Sequence, residues 1–536
     1  MAPPAAIVEP AEAGTSPHGD HPTVAAPATL VLLVVLSVFG AIIGTQLILI
    51  LGITPNTSII GALVAMLLAR VPLAFFNRYR SIHVQNLAQS AISAATFGAA
   101  NSLLLPIGVP FLLGRPDLIV PMLAGAALSM LLDGYLLYRM FGTRIFPATG
   151  TWPPGIAAAE AIRAGDAGGR RGLLLVAGLV VGIAGSWLKI PMSAFGVAFI
   201  GNVWALTMFG IGLLIRGYAT PLAGIDISKL YVPHGMMVGA GIVALVQVAM
   251  LIARRGEPAA GETPDSVLRR ALGLGGVGYI AIAIVLALLG GLIGELSPGM
   301  LLAFVIFAAF AAFVHELIVG ISAMHAGWFP AFAVALITLI VGILLGFPPI
   351  ALGLLVGFAA STGPAFADMG YDLKAGFMLR GDGADPEFEL AGRKQQLYAA
   401  MLAFLIAIPT VYFAHPGYFA QNLVPPVDKV YVATIKAGAT AEVAKMMLLW
   451  AIPGAVIQFL GGPRRQLGIL LATGLLIPNP IAGWAVLIGI AIRVTVLKFK
   501  GAGASGNMEV LAAGFIGGDA LYGFGDSVSR ALPKGK

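Results

Sequence analysis

Between residues 29 and 526 the chain alternates apolar runs of about twenty residues with short polar turns carrying Gly, Pro or Arg. A helix of roughly 20 apolar residues crosses the hydrocarbon of a bilayer with its backbone N–H and C=O groups bonded within itself. The run 31–53, where Gln46 is the only strongly polar side chain, meets that condition. The same pattern predicts spans near 58–76, 119–138, 173–190, 197–215, 235–253, 272–294, 299–320, 330–347, 349–363, 397–414, 446–460, 467–495 with a break at Pro478, and 508–524. The stretch 86–113 departs from it, because Asn86, Gln89, Ser90, Ser93, Asn101 and Ser102 interrupt the apolar run and Pro106 and Pro110 follow. Polar or non-helical backbone at membrane depth needs protein or a water-filled cavity around it, so this stretch predicts a re-entrant or broken helix lining a cavity. The expected class is all-α, a polytopic membrane bundle of about 14 to 16 spans.

The two halves of the chain look alike. Trp152-Pro-Pro-Gly followed by Ala161-Ile-Arg-Ala-Gly165 is echoed by Val424-Pro-Pro-Val followed by Thr434-Ile-Lys-Ala-Gly438. Near the end of each half, Val238-Gly-Ala-Gly241 is echoed by Ile516-Gly-Gly-Asp519. We therefore expect a first repeat over 29–253, a linker loop over 254–271 and a second repeat over 272–526, between a disordered tail at 1–28 and a short tail at 527–536. Residues 1–27 are rich in Ala and Pro and carry no Lys or Arg, unlike the start of a secretory leader. Internal duplication is a signature of secondary transporters, whose substrate sites lie where the repeats meet.

Composition agrees with the spans. The chain is 59% hydrophobic and 10% charged, with a mean hydropathy of +0.94, where soluble domains carry about 25% charged residues. The formal net charge of +7 suits loops facing anionic lipid and gives no reason to invoke nucleic acid. There are no cysteines, which excludes disulfides, thiolate metal sites and a cysteine nucleophile.

Ionisable and polar groups inside spans are costly, so each is a functional hypothesis. Asn86 and Gln89 share a helical face with Ser90 beside them, and offer donors and acceptors to a zwitterionic or amide-rich ligand; the alternative is helix–helix hydrogen bonding. Glu160 follows Pro153-Pro-Gly and is read as binding a ligand amine or taking a proton, or else as pointing to water beside Arg163. Asp368 and Asp372 lie four apart with Lys374 close by, a cluster suited to proton coupling if buried, with Lys374 neutralising one carboxylate, or to a solvated loop if not. His315-Glu316 lacks the second histidine of a zinc-protease helix, since position 319 is Val, and is read either as a proton relay or as a structural pairing with an Arg or a carbonyl. Asp133, Asn202 and His234 read as structural polar groups, although Asn202 also completes the substrate-binding set of Asn86, Gln89, Ser90 and Glu160. The proton-coupling set is Asp372, Lys374, Asp368, Glu316 and His315. Gly273-Leu-Gly-Gly-Val-Gly278 opens a span and follows no strand, so it is close helix packing and not a dinucleotide fingerprint. With no nucleophile–base or metal-ligand constellation, an enzyme is not expected.

At these motifs the chain resembles the oligopeptide transporter (OPT) family, in particular its prokaryotic members and the yellow stripe-like metal-chelate transporters. The matching elements are Asn86 with Gln89, the run from Phe146 through Pro153-Pro-Gly to Glu160, Tyr231-Val-Pro-His-Gly-Met-Met-Val-Gly-Ala-Gly241, Asp372 with Lys374 and Gly376, and Ala472-Thr-Gly-Leu-Leu-Ile-Pro478. The resemblance implies a proton-driven importer of short peptides, glutathione-like compounds or metal complexes of amino-acid-derived chelators. Its energy source would be the proton gradient, with no cofactor and no resident metal. It would sit in the lipid bilayer of a bacterial inner membrane, with assembly into a homodimer left open. It also implies that Asn86 and Gln89 stand at the substrate cavity, with Glu160 and Asp372 near it. The Asn-Pro-Gly and Lys-Ile-Pro-Pro-Arg signatures of the eukaryotic peptide-transporting branch are absent, which leaves substrate choice open. A passive channel or facilitator for a small polar solute is the competing expectation; it would need a continuous polar pore and would show no counterflow.

Overall fold

The computed structural model describes residues 20–51, 58–69, 71, 74–253, 263–438 and 440–531. Residues 1–19 of the expected N-terminal tail, 254–262 of the expected linker and 532–536 of the expected C-terminal tail lie outside the described residues. Helix follows helix, and no strand occurs among the described residues. The first half holds α1 (Pro27–Leu51), α2 (Ser58–Ala69), α3 (Ile82–Phe97), α4 (Leu105–Leu112), α5 (Ile119–Met140), α6 (Pro153–Ala167), α7 (Gly169–Trp187), α8 (Met192–Ile200), α9 (Val203–Ala223) and α10 (Val232–Ala253). The second holds α11 (Asp265–Leu289), α12 (Leu292–Glu295), α13 (Pro298–Ala326), α14 (Ala331–Leu344), α15 (Pro349–Ser361), α16 (Pro364–Leu379), α17 (Pro386–Phe419), α18 (Pro426–Ala437), α19 (Ala441–Arg465), α20 (Leu467–Leu476), α21 (Pro480–Lys500) and α22 (Ser505–Ala531).

The sequence marks many of the helix starts. Asn202, Ser297, Asp385 and Asn479 each accept a first-turn N–H at the head of α9, α13, α17 and α21. Proline opens α13, α15, α16, α17, α18 and α21, where its missing N–H would have had no helical partner. Eleven helical segments among the described residues are long and apolar enough to cross a bilayer, and four shorter apolar helices accompany them. Large apolar side chains such as Leu173, Phe413, Phe459 and Phe499 stay exposed on the outside of the bundle. An apolar exterior on this scale is compatible with lipid and not with water. The protein is a multi-pass membrane protein.

Two composite segments, Ile82–Leu112 and Pro349–Leu379, differ from the rest in being almost wholly buried. They lie antiparallel at the centre, α3 against α16 and α4 against α15. The first was expected to be a re-entrant or broken helix lining a cavity; it runs without a break. It widens into a π-helical stretch at Gly98–Leu104, where the Leu105 N–H reaches back five residues to the Ala100 carbonyl. Pro106 brings no N–H to the turn below, so the preceding carbonyls find partners at a longer spacing and the chain stays helical. The second does break. Thr362 ends α15, and Gly363, at φ +93°, turns the chain into α16. A side chain there would be strained by that φ and would also stand 2.9 Å from the Val319 side chain.

Around this centre the halves interlock. Helix α10 packs most extensively on α19, and α7 on α22; α9 lies against α20 and α21, and α8 against α21 and α22. Close approach of α7 and α22 depends on small residues: a Cβ on Gly178 would stand 2.9 Å from the Gly514 Cα and 3.0 Å from the Leu511 carbonyl oxygen.

Candidate transport site

Helices α3 and α16 bury a polar seam between them. Ser93 Oγ donates to Asp368 Oδ1 at 2.5 Å, and the Asp372 carboxylate one turn on faces the Gln89 side chain. Gln89 Nε2 donates to Ser90 Oγ at 2.9 Å and to Asn86 Oδ1 at 3.3 Å. The seam continues through Gln396 on α17, whose amide donates to Ser90 Oγ (3.2 Å) and to the Asp372 carbonyl (2.5 Å) and accepts from Arg380 Nη1 (2.9 Å). Arg380 closes it with a two-pronged pair to Glu389 at 2.7 and 3.1 Å, and Arg393 joins the same carboxylate at 3.2 Å. Asn86, Gln89, Ser90, Asp368 and Asp372 are fully buried. The structure thus brings together five residues that sequence spacing had placed on two separate helical faces.

Lys374 does not join them. The expected pairing with a neighbouring carboxylate fails because two residues turn an α-helix by about 200°, which aims Lys374 away from Asp372. Its Nζ donates to the Ala148 carbonyl at 3.0 Å and lies 5.5 Å from the Phe377 ring centroid. Glu160 is buried too and is engaged by Arg163 at 3.1 Å and by Arg171 at 2.5 Å, so the water-facing alternative does not hold for it. Asn202 caps α9, and its amide donates to the Arg464 carbonyl at 3.0 Å. His315 and Glu316 are fully buried on α13; the His315 ring bonds the Ala359 carbonyl and lies 3.0 Å from Thr362 Oγ1, while Glu316 faces the Tyr279 hydroxyl.

A cavity of about 490 Å³ opens beside the seam, walled by both halves of the chain. None of the ten expected site residues lines it. Its wall is made by the neighbouring turns of the same two composite segments: Phe97, Asn101 and Leu105 from one, Ala360, Pro364 and Tyr371 from the other. Gln89 is turned to Asp372 on α16 and Ser90 to Gln396 on α17, while Asn86 Oδ1 accepts from Gln89 within α3. The remaining wall carries groups that sequence reasoning missed. Lys189, exposed and without an ion pair among the described residues, stands in the wall with Asp519 and Asp526. Asp519 is fixed by Ser186 Oγ at 2.5 Å and by the Ser193 N–H at 3.0 Å. Trp328, Phe329 and Tyr431 supply apolar surface. Asp519 did leave a signal, a carboxylate inside an apolar run at the end of a repeated motif; Lys189 left none beyond its place before Ile190-Pro191.

No curated protein matches the chain. A family model described as OPT oligopeptide transporter protein matches residues 27–254 and 272–529. The match leaves out only the two ends and residues 255–271, and it fits an all-helical bundle whose halves enclose a cavity. The chain belongs to the OPT oligopeptide transporter family and is a membrane transporter, not an enzyme.

Proposed function

We propose that the protein is a secondary active transporter that imports short oligopeptides or peptide-like and metal-chelate compounds by symport with protons. The observation that carries this reading is the cavity, about 490 Å³, walled by both halves and bearing Lys189 together with Asp519 and Asp526. Sites for small ligands run from about 300 to 1,000 Å³, mostly apolar with a few placed polar groups. A zwitterion fits such a wall, its carboxylate toward Lys189 and its ammonium toward the aspartates, with side chains against Trp328, Phe329 and Tyr371. The seam of Asn86, Gln89, Ser90, Asp368 and Asp372 adjoins the cavity along both composite segments and would meet the cargo as the halves rearrange. Interlocked repeats around a central site are the architecture of alternating access.

The test is uptake of labelled trialanine and of its C-terminal amide into proteoliposomes. A charge-assisted bond is worth about 1.5 to 3 kcal/mol, so Lys189→Ala raises KM for trialanine about tenfold or more, with little effect on the amide. Equal KM values for both peptides in wild type and variant remove Lys189 from the site. Saturation by none of a set of peptides and chelates removes the peptide reading.

A further inference from the structure

The break between α15 and α16 is held from two sides. On one side Ala360 and Pro364 form part of the cavity wall. On the other, Asp133 on α5 accepts the Gly363 N–H at 2.7 Å with one carboxylate oxygen and the Tyr279 hydroxyl at 2.5 Å with the other. Tyr279, on α11, also faces Glu316 on α13. Next to Glu316, His315 grips the last turn of α15 through the Ala359 carbonyl and Thr362. Asp133, Tyr279, His315 and Glu316 are all fully buried.

The surroundings of Asp133 contain no cation among the described residues. Helix α11 presents Tyr279 and α13 presents Glu316, with His315 across the break; α15 has no titratable side chain at all. At the head of α16 the Gly363 N–H meets Asp133, while Asp368 and Asp372 are turned to α3, Tyr371 lines the cavity and Lys374 is held by the Ala148 carbonyl. On α17, Phe404 and Met401 lie against Gly134, and Glu389 and Arg393 are engaged with each other and with Arg380. The Tyr279 hydroxyl donates to Asp133 and faces Glu316, whose buried oxygens have no hydrogen-bond partner among the described residues; two such carboxyl groups can share a single proton with no compensating counter-ion, so the charge of the cluster follows that proton.

We propose that Asp133 and Glu316, with the Tyr279 hydroxyl between them, carry the coupled proton, and that the Asp133 hold on Gly363 transmits its presence to the cavity wall at Ala360 and Pro364. This rests on the symport reading above and names where its proton rides. The proton arrives as H⁺ on a carboxylate oxygen and leaves as H⁺; no bond of the cargo changes. A charged Asp133 accepts the Gly363 N–H more strongly than a neutral one, so protonation loosens one side of the break while cargo presses on the other. Both sites then bias the same two-state element, which is the physical requirement for coupling.

The experiment uses the full chain in proteoliposomes with labelled trialanine, with and without an inward proton gradient, and with trans-loaded peptide for counterflow. In wild type the gradient drives accumulation. In Asp133→Asn gradient-driven accumulation falls at least about tenfold, within the span usual for coupling between two sites, while counterflow stays measurable. Tyr279→Phe, which keeps the ring, shows the same separation in weaker form and decides the matter if Asp133→Asn does not fold. A wild-type gradient response in the folded variants overturns the inference and leaves the symport reading standing. Loss of counterflow together with gradient drive in both variants makes the cluster structural and also overturns it. A wild-type protein indifferent to the gradient overturns the symport reading and this inference with it.

Discussion

Replacing Gln396 by leucine removes a side chain that ties α17 to both walls of the polar seam. Its amide makes two neutral bonds, to Ser90 Oγ and the Asp372 carbonyl, and accepts one from the Arg380 guanidinium. At about 1 kcal/mol for each neutral bond and about 1.5 to 3 for the charged one, the bonds lost amount to about 3 to 5 kcal/mol. Leucine has a similar volume and recovers about 1 to 2 kcal/mol by apolar burial, so a net loss of about 1 to 4 kcal/mol is expected. The neighbouring Gln395 gives the control, since it accepts a single bond from the Val24 N–H at 2.8 Å; Gln395→Leu should cost about 1 kcal/mol. Denaturation of the purified protein in mixed micelles ranks the three proteins, and proteoliposome uptake of trialanine follows the same order. If Gln396→Leu unfolds together with Gln395→Leu, the seam contributes no more than a surface contact and the reasoning about it is wrong.

Two further substitutions probe other parts of the structure. Gly178→Ala places a methyl against the Gly514 backbone, where overpacking of about 1 to 3 kcal/mol outweighs the roughly 1 kcal/mol by which Ala exceeds Gly in a helix; a melting temperature at or above wild type would show that α7 and α22 do not approach as described. His21 lies before the first membrane helix, and burial lowers its pKa from 6.5 to about 4. Because the folded value lies below the unfolded one, the unfolded chain takes up the proton first, and stability is lost as pH falls from about 6.5 toward 4. His21→Gln should flatten that acid limb of the stability curve by roughly 3 kcal/mol; identical limbs in variant and wild type would count against His21 being buried.

The fold class was legible because lipid enforces it. Runs such as 119–138 and 235–253 must be helical whatever their neighbours, and they appear as Ile119–Met140 and Val232–Ala253. The break near Pro478 was legible for the same kind of reason and falls between Leu476 and Pro480. The continuity of Ile82–Leu112 was not legible, because a π-helical stretch leaves the same proline and polar residues in the sequence as a break would. Spacing placed Asp368 with Asp372 and Asn86 with Gln89, since i, i+3 and i, i+4 neighbours share a face. It could not say that the two faces meet, because that depends on contacts between residues hundreds of positions apart. It also could not separate a seam from a cavity wall on one helix: Asp368 and Tyr371 lie three apart, yet one bonds Ser93 and the other lines the cavity. Asp133 read as structural by the same local logic, and only its bond to Gly363 ties it to the helix break.

Counterflow of labelled trialanine in proteoliposomes, measured with and without an inward proton gradient, tests most directly whether this chamber loads and releases cargo on alternate sides. The account predicts that unlabelled peptide inside accelerates entry of label and that the gradient drives accumulation above the outside concentration. Entry that ignores trans-loaded peptide and never exceeds equilibration would describe an open pore and contradict it.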